Sequence, residues 1–372
     1  MAPRRAAGRL PSLVYFIDGH GFGHATRSLA ILREIRRRCP EQPILVRTSA
    51  PPFLFRDGQL RVLAGDVGPG MVQADPLTLD VPASVAAALQ FHARLPQLVE
   101  EEVTRLAVHG AGLIVGDIPI LAFQVARRLG VPSVALGNFS WDWIYEPYVE
   151  GGTEGAALLQ GMREAYASAD LLLRLPLHGD MGCFRRVEDI PHVVRSSRRE
   201  RDPVRRMLGL EGETRPVVLV SFGGFGSVRF PTARWPPDPG DYRFVNPGPV
   251  PPGLPEDTVR LPVDHDIGHE DLVAACDAVI SKPGYGTVVE CLASRTPLLY
   301  TSRDHFRETP VLVEGLRRGA RCRFLPREDL LTLRWHEHLE ALLSDDRPWP
   351  PVRTDGARLA AARLLELLGN PA

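Results

Sequence analysis

The feature that most constrains this chain is a unit that recurs along it: a short continuous apolar run, a glycine-rich turn, then a stretch with helical spacing. Residues 13–17 run into the turn 19–23, and apolar Leu29, Leu32 and Ile35 follow at helical intervals. Residues 217–222 run into the loop 223–227, and residues 278–281 into the turn 282–286 and a helix predicted over 287–293. A run that is apolar at every position, rather than at every second one, suits a strand covered on both faces, as in a parallel sheet. Further strands are predicted at 44–48, 113–116, 131–136, 171–175 and 297–301, with helices at 120–129 and 155–168 between them. Strands alternating with helices predict an α/β protein with doubly wound parallel sheets.

The chain has 372 residues, more than one core usually serves, so two domains are expected. Clustered charge with Gly and Pro at 195–216 reads as the break between them. The expected organisation is therefore a domain over 1–195, a linker over 196–216, a second domain over 217–350, and a terminal apolar-striped helix over 351–372. The Pro-rich stretch 231–255 is expected to be irregular surface structure. Each sheet would present its strand C-termini to a shared cleft, where ligands bind in such folds.

Composition excludes several classes. Apolar residues make up 44% and charged residues 24%, with a formal net charge of -1. That is globular composition, and it lacks the basic footprint of a nucleic-acid binder; no nucleic-acid partner is expected. The basic run 195–206 reads as a solvated linker. Five scattered cysteines without a C-x-x-C pair read as reduced thiols, hence a cytoplasmic setting and no metal framework. No segment reaches the apolar length of a membrane span, and residues 13–17 are read as a first strand, not a signal peptide. Lys282 is the only lysine among 44 basic residues. In a chain so biased to arginine, the exception reads either as a place where a compact, strongly hydrated ammonium matters or as a chance survivor.

Three segments carry candidate chemistry. In the first, a strand delivers the chain to Ser281-Lys282-Pro283-Gly284-Tyr285-Gly286-Thr287, where a helix begins. Glycines let the backbone approach a ligand, and the helix N-terminus offers unpaired N–H groups with a favourable dipole, a site suited to a diphosphate. Glu290 lies one turn on, on the face of Gly286 and Thr287, placed to accept from ribose hydroxyls. The second is Asp18-Gly19-His20-Gly21-Phe22-Gly23-His24, a turn with two histidines that matches neither a dinucleotide fingerprint nor a P-loop. A histidine there suits removal of a proton from a hydroxyl, or else caps the helix. The third is Asp117, at the end of a predicted strand on the same sheet edge, read either as the acid that orients a histidine or as the N-cap of the helix after Pro119. Asn138 and Trp141 follow another strand at that edge, where aromatics stack on a sugar or pack a core. Gly223 and Gly224 would add N–H groups to the far side of a diphosphate. Asp264-His265-Asp266 is read as loop structure, and no metal is expected.

Residues 281–297, followed by Arg303-Asp304-His305-Phe306-Arg307-Glu308, resemble the donor-binding region of GT-B glycosyltransferases. The similarity extends to the lipid II N-acetylglucosaminyltransferases and UDP-glycosyltransferases, and is nearer still to the N-terminal half of L-arabinokinases. It covers nearly the whole chain, because residues 19–28, Asp117, residues 223–227 and this region stand in the expected order. The resemblance implies two Rossmann-like domains facing across a cleft, acceptor-side first. It implies that Gly284, Gly286 and Thr287 hold donor phosphate, Glu290 the ribose, and Glu308 with Thr309 the sugar. It places the base at His24, with His20 in reserve beside Gly21, and gives Asp117 the orienting role. The expected activity is metal-independent transfer of a sugar, from a UDP-sugar by preference, to a hydroxyl acceptor. The nucleotide sugar is a co-substrate and no cofactor is expected. Departing from the usual His-Cys-Gly or Arg-Ser-Gly, Ser-Lys-Pro-Gly leaves donor identity open. An epimerase, a phosphorylase and a non-catalytic nucleotide or sugar sensor stand as alternatives on the same fold.

Overall fold

The computed structural model describes residues 10–55, 60–149, 152–223, 241–248, 253–261 and 266–369. The first part of the chain runs β1 (Ser12–Ile17), α1 (Phe22–Arg38), β2 (Ile44–Thr48), β3 (Arg61–Ala64), β4 (Gln73–Asp75), β5 (Thr78–Leu79) and α2 (Val81–Leu106). It continues with β6 (Ala111–Asp117), α3 (Ile120–Leu129), β7 (Ser133–Gly137), α4 (Trp141–Tyr145), α5 (Thr153–Ala167), β8 (Leu171–Arg174) and β9 (Val187–Asp189). Seven of these strands form one sheet in the order β3-β2-β1-β6-β7-β8-β9, and β4 with β5 makes a separate hairpin. Every pair reported within the seven-stranded sheet is parallel. The continuous apolar runs explain this: residues 13–17 are wholly buried, with helices on both faces.

A helix, α6 (Arg201–Met207), falls within the stretch expected to be a plain linker. Its Arg201 and Arg205 both engage Asp277, so the basic run is docked rather than loosely solvated. Then come β10 (Val217–Val220), β11 (Arg243–Asn246), β12 (Val259–Arg260), α7 (His269–Ala275), β13 (Ala278–Ser281), α8 (Tyr285–Ser294), β14 (Leu298–Tyr300), α9 (Thr309–Gly319), β15 (Cys322–Phe324), α10 (Arg327–Leu331) and α11 (His336–Leu343). The second sheet is ordered β12-β11-β10-β13-β14-β15. The Pro-rich stretch is therefore not irregular throughout: β11 lies inside it, and Phe244 and Val245 are fully buried. In both sheets the order reverses beside a central strand, which opens a crevice at the strand C-termini.

The last helix, α12 (Gly356–Leu367), does not stay with the second sheet. It packs on α1, buries Ala360, Ala361 and Leu364, and is tied by Arg363 to Glu188 of β9. The chain thus crosses between the halves twice. The two crossings meet: Val193 and Asp355 form an antiparallel bridge, and Gly356 N donates to His192 O at 3.1 Å. A Cβ at Gly356 would lie 2.1 Å from Pro191 O, so only glycine fits this junction.

Candidate active site

The N-termini of α1 and α8 face each other across the cleft. Gly21, at φ +79, makes the turn that starts α1. A Cβ on Gly286 would meet the Cα of Gly23 at 3.8 Å, so the two glycine turns are nearly in van der Waals contact. Gly284 is the N-cap of α8 and no side chain caps it, which leaves the first-turn amides of Tyr285, Gly286 and Thr287 for a ligand. Ser281 ends β13, with Lys282 next.

His24 sits in the first turn of α1 and caps nothing. Its Nδ1 lies 2.9 Å from Asp117 Oδ1, and both side chains are buried. Asp117 comes to this point because β1 and β6 pair in parallel, with Ile17 beside Asp117. Nor does Asp117 cap α3, whose N-cap is Pro119. Instead it accepts from Arg27 Nε at 2.8 Å, from Arg27 Nη2 at 2.5 Å and from Ser28 Oγ at 2.8 Å. Burial works against its charge, but the Arg27 guanidinium and His24 outweigh it and hold the carboxyl down at about 2. Asp117 is therefore an anion at neutral pH; Arg27 Nη2 also lies 3.0 Å from His24 Nδ1, and it is in the tautomer with Nδ1–H facing Asp117 that the Nε2 lone pair is left for chemistry. Among the described residues nothing hydrogen-bonds that Nε2.

The next residue, Ile118, has φ +119, an outlier for a β-branched side chain. Such a conformation costs about 1–3 kcal/mol and persists where its surroundings enforce it. Tyr166 Oη donates to Ile118 O at 2.9 Å, and Ile118 is completely buried.

Arg27 was not anticipated, yet it joins the parts together. Its Nη1 donates to Asn138 Oδ1 at 2.8 Å, and Asn138 Nδ2 donates to Glu308 Oε1 at 2.6 Å. A continuous buried chain thus runs His24, Asp117, Arg27, Asn138, Glu308 and spans both halves. Only the i, i+3 spacing of His24 and Arg27 on α1 signalled it, and that spacing is common in a chain this rich in arginine. Burial pushes the Glu308 carboxyl up despite Asn138 and Arg27.

The other residues singled out in the sequence lie as follows. Asn138 is wholly buried within this chain and does not line an acceptor surface. Trp141 is 4% exposed, donates from Nε1 to Asp18 Oδ2 at 2.8 Å and packs edge-on to His20 and Phe139, so it offers no face for stacking. His20 is turned from His24: its Nδ1 accepts from Met71 N at 3.0 Å, and burial with nearby Arg303 holds it well below its ordinary value. Tyr285 contributes backbone only, because its ring is buried beneath Arg27. Both Glu290 oxygens have partners, Arg195 Nη2 at 3.0 Å and His269 Nδ1 at 2.7 Å, and His269 Nε2 lies 3.0 Å from Ser221 Oγ. A ribose there would have to share or displace these partners.

Lys282 Nζ donates to Pro76 O of the β4–β5 turn at 2.6 Å, one of several links across the cleft, with Asp304 N to Leu77 O and Arg327 to Thr78 beside it. Burial and Arg303 bring its ammonium down to about 7. Thr309 begins α9, and its Oγ1 is buried without a partner. Gly223 has φ +82, while Gly224 lies outside the described residues, as do Asp264 and His265. Asp266 pairs with Arg199 at 2.8 Å. Among the described residues no three His, Cys, Asp or Glu side chains cluster as metal ligands, and no helix is long and apolar enough to cross a membrane. A separate cavity of about 430 Å³ lies beside α4 and α5 and is lined by none of the predicted catalytic or donor residues.

This fold has close counterparts among solved structures. SnogD, a glycosyltransferase from Streptomyces nogalater, superposes over 96% of this chain and all of its own, with a TM-score of 0.54 at 17% identity. Phytolacca americana UGT2, solved with UDP-2fluoro-glucose and pterostilbene, gives 0.59 at 13% identity over 96% of this chain and 94% of its own. A Polygonum tinctorium UDP-glucosyltransferase gives 0.57 at 14% identity over 98% and 100%. The chain has the GT-B fold, two parallel α/β sheets facing across a cleft. In sequence it is similar to the L-arabinokinase of Arabidopsis thaliana, 33% identical over 365 residues, or 95% of this chain. It spans about a third (34%) of that relative's length. No family model matches the chain.

Proposed function

We propose that the protein is a glycosyltransferase that moves a sugar from a nucleoside diphosphate, UDP by preference, to a hydroxyl acceptor, using His24 as base. The observation that carries this is the buried His24–Asp117 pair lying directly opposite the uncapped N-terminus of α8. The N-terminal domain would serve the acceptor and the C-terminal domain the donor.

Donor phosphates dock on the amides of Gly284–Thr287, with Thr309 and Glu308 toward the sugar and Glu290 near the ribose. His24 Nε2 takes the acceptor proton while the acceptor oxygen bonds to the anomeric carbon and the bond from that carbon to the diphosphate breaks. Asp117 fixes the tautomer and stabilises the imidazolium. The charge left on the diphosphate falls to the α8 dipole and Lys282, so the proposed reaction requires no divalent cation. An apo ammonium at about 7 becomes fully charged once an anion sits beside it.

The test is His24→Ala. A lost general base lowers turnover by about 10²–10⁴-fold, while UDP-sugar affinity measured by calorimetry stays within about twofold. Loss of turnover and donor affinity together overturns the assignment. A second reading, a nucleotide- or sugar-binding module without turnover, is favoured by the match to one third of a longer protein. It predicts binding with no product in any donor and acceptor pairing.

A further inference from the structure

In the cleft two cationic groups, Arg303 and Lys282, converge beside the neutral imidazole of His20 without a salt-bridged carboxylate among the described residues. Arg303, beyond β14, is 8% exposed, and its Nε has no hydrogen-bond partner. Among the described residues its one hydrogen-bond contact is Nη2 to His20 Nε2, a long 3.4 Å, and the guanidinium lies 4.1 Å from the centroid of the Phe306 ring. Lys282 gives one N–H to Pro76 O. His20 feels both cations and His24 as well, which places the group beside the proposed base. Among the described residues neither Arg303 nor Lys282 has a carboxylate within salt-bridge distance. The acids that do act on them are committed elsewhere: Glu308 to Asn138, and Asp75 to the amides of Leu77 and Thr78. The hydroxyls of Thr301 and Thr309 are also buried without partners.

A buried cation without a hydrogen-bonded anion is costly and is seldom kept for stability. A guanidinium braced on an aromatic ring, with its donors unspent, is the form in which arginine recognises carboxylates and phosphoryl groups in two-pronged fashion. The first-turn amides of α8 already provide for a diphosphate, and Arg303 stands on the next strand's loop, against the first-half turn that carries His20.

We propose that Arg303, with Thr309, receives an oxyanion other than the diphosphate that Lys282 serves, a carboxylate or phosphoryl group borne by the donor's sugar or by the acceptor. This rests on the glycosyl-transfer reading of the cleft and narrows its substrate to an acidic one.

The experiment measures binding of UDP, UDP-glucose and UDP-glucuronate to wild type, Arg303→Gln and Arg303→Lys by calorimetry. Free glucuronate and inorganic phosphate are added with and without UDP. Because Lys282 is the only lysine, ¹³C-dimethylation marks it and the N-terminus alone, and its NMR titration reports anions directly. For an acidic donor, UDP-glucuronate binds wild type at least about tenfold more tightly than UDP-glucose. Arg303→Gln erases that margin, Arg303→Lys keeps part of it, and UDP affinity is unchanged in both. For an acidic acceptor, the margin appears instead between free glucuronate and glucose in the UDP complex. If UDP and UDP-glucose lose affinity equally in Arg303→Gln, Arg303 is a diphosphate ligand and the proposal fails. It fails equally if no anion shifts the Lys282 titration in an Arg303-dependent way. Binding of free anions through Arg303 with no response to any UDP compound would uphold the oxyanion site and overturn the nucleotide-sugar reading.

Discussion

Replacing Asp117 by Asn keeps the shape of the side chain and removes the charge on which four hydrogen bonds converge. Arg27 is 4% exposed, and Asp117 is its only carboxylate partner among the described residues. The Asn amide keeps one acceptor oxygen but turns an NH2 donor on one of the two Arg27 donors and carries no charge, so the guanidinium stays buried and uncompensated. Breaking a buried pair in this way costs about 3–5 kcal/mol. With ~2–4 °C per kcal/mol for a domain of this size, the melting temperature should fall by roughly 6–20 °C. A double variant, Arg27→Met with Asp117→Leu, removes both charges together and should be less destabilised than the sum of the two single variants. Protonation gives an independent estimate. The folded carboxyl is held at about 2 against an ordinary 3.8, so its contribution is present above pH 4 and lost as pH falls through 2. That shift corresponds to about 2 kcal/mol. Urea unfolding of Asp117→Asn at pH 7 is the decisive assay. A loss under about 1 kcal/mol, or strict additivity in the double variant, would show that the buried pair does not hold the site together.

Three further outcomes follow from the same geometry. Lys282→Met should stabilise the ligand-free protein at pH 7 by about 1–3 kcal/mol, because it removes a mostly unpaired, partly buried cation; it should also abolish thermal stabilisation by UDP. The Lys282 amine binds protons in the unfolded chain up to about 10.5 and in the folded one only below about 7. Wild-type stability should therefore rise with pH across that window relative to Lys282→Met, and matched pH-dependent melts check the sign. Gly137→Ala puts a Cβ 2.8 Å from Ile118 Cδ1. It should cost about 1–3 kcal/mol and lower kcat more than KM by shifting Asp117; a neutral effect on both would show that the strained Ile118 has slack.

Much of the frame was legible because the central strands are apolar at every position. β2, α3 and β13 begin and end where the pattern places them, and β1 and β6 differ only at their edges. Other elements were masked by local signals that tertiary packing overrode. α2 carries Pro96 within 26 residues of helix, and β11 hides among prolines. At the site, the choice of His24 over His20 came from the family resemblance, while Asp117 was readable from its place at a strand end. Arg27 and Arg303 were not, since neither differs in local pattern from the many other arginines; only burial and pairing distinguish them. For Trp141 the sequence left stacking and core packing open, and the structure buries it together with Asn138. Nothing in a sequence says whether an aromatic at a sheet edge faces the crevice or the core.

The bridge between Val193 and Asp355 fixes how the two halves can move. Two separate tethers would permit sliding and twisting; two tethers pinned together at one point behave as an axle. A rotation opening the cleft about residues 192–195 and 353–356 would leave this junction in place and displace most what lies farthest from it. Arg195 sits on the axle and grips Glu290, while His192 lies 3.5 Å from the Tyr285 hydroxyl, so the start of α8 travels little. The link of Lys282 to Pro76 and that of Asn138 to Glu308 lie across the opening and must part with each swing. A ligand at the first turn of α8 would be held near the still centre, and one against Arg303 would ride the arm.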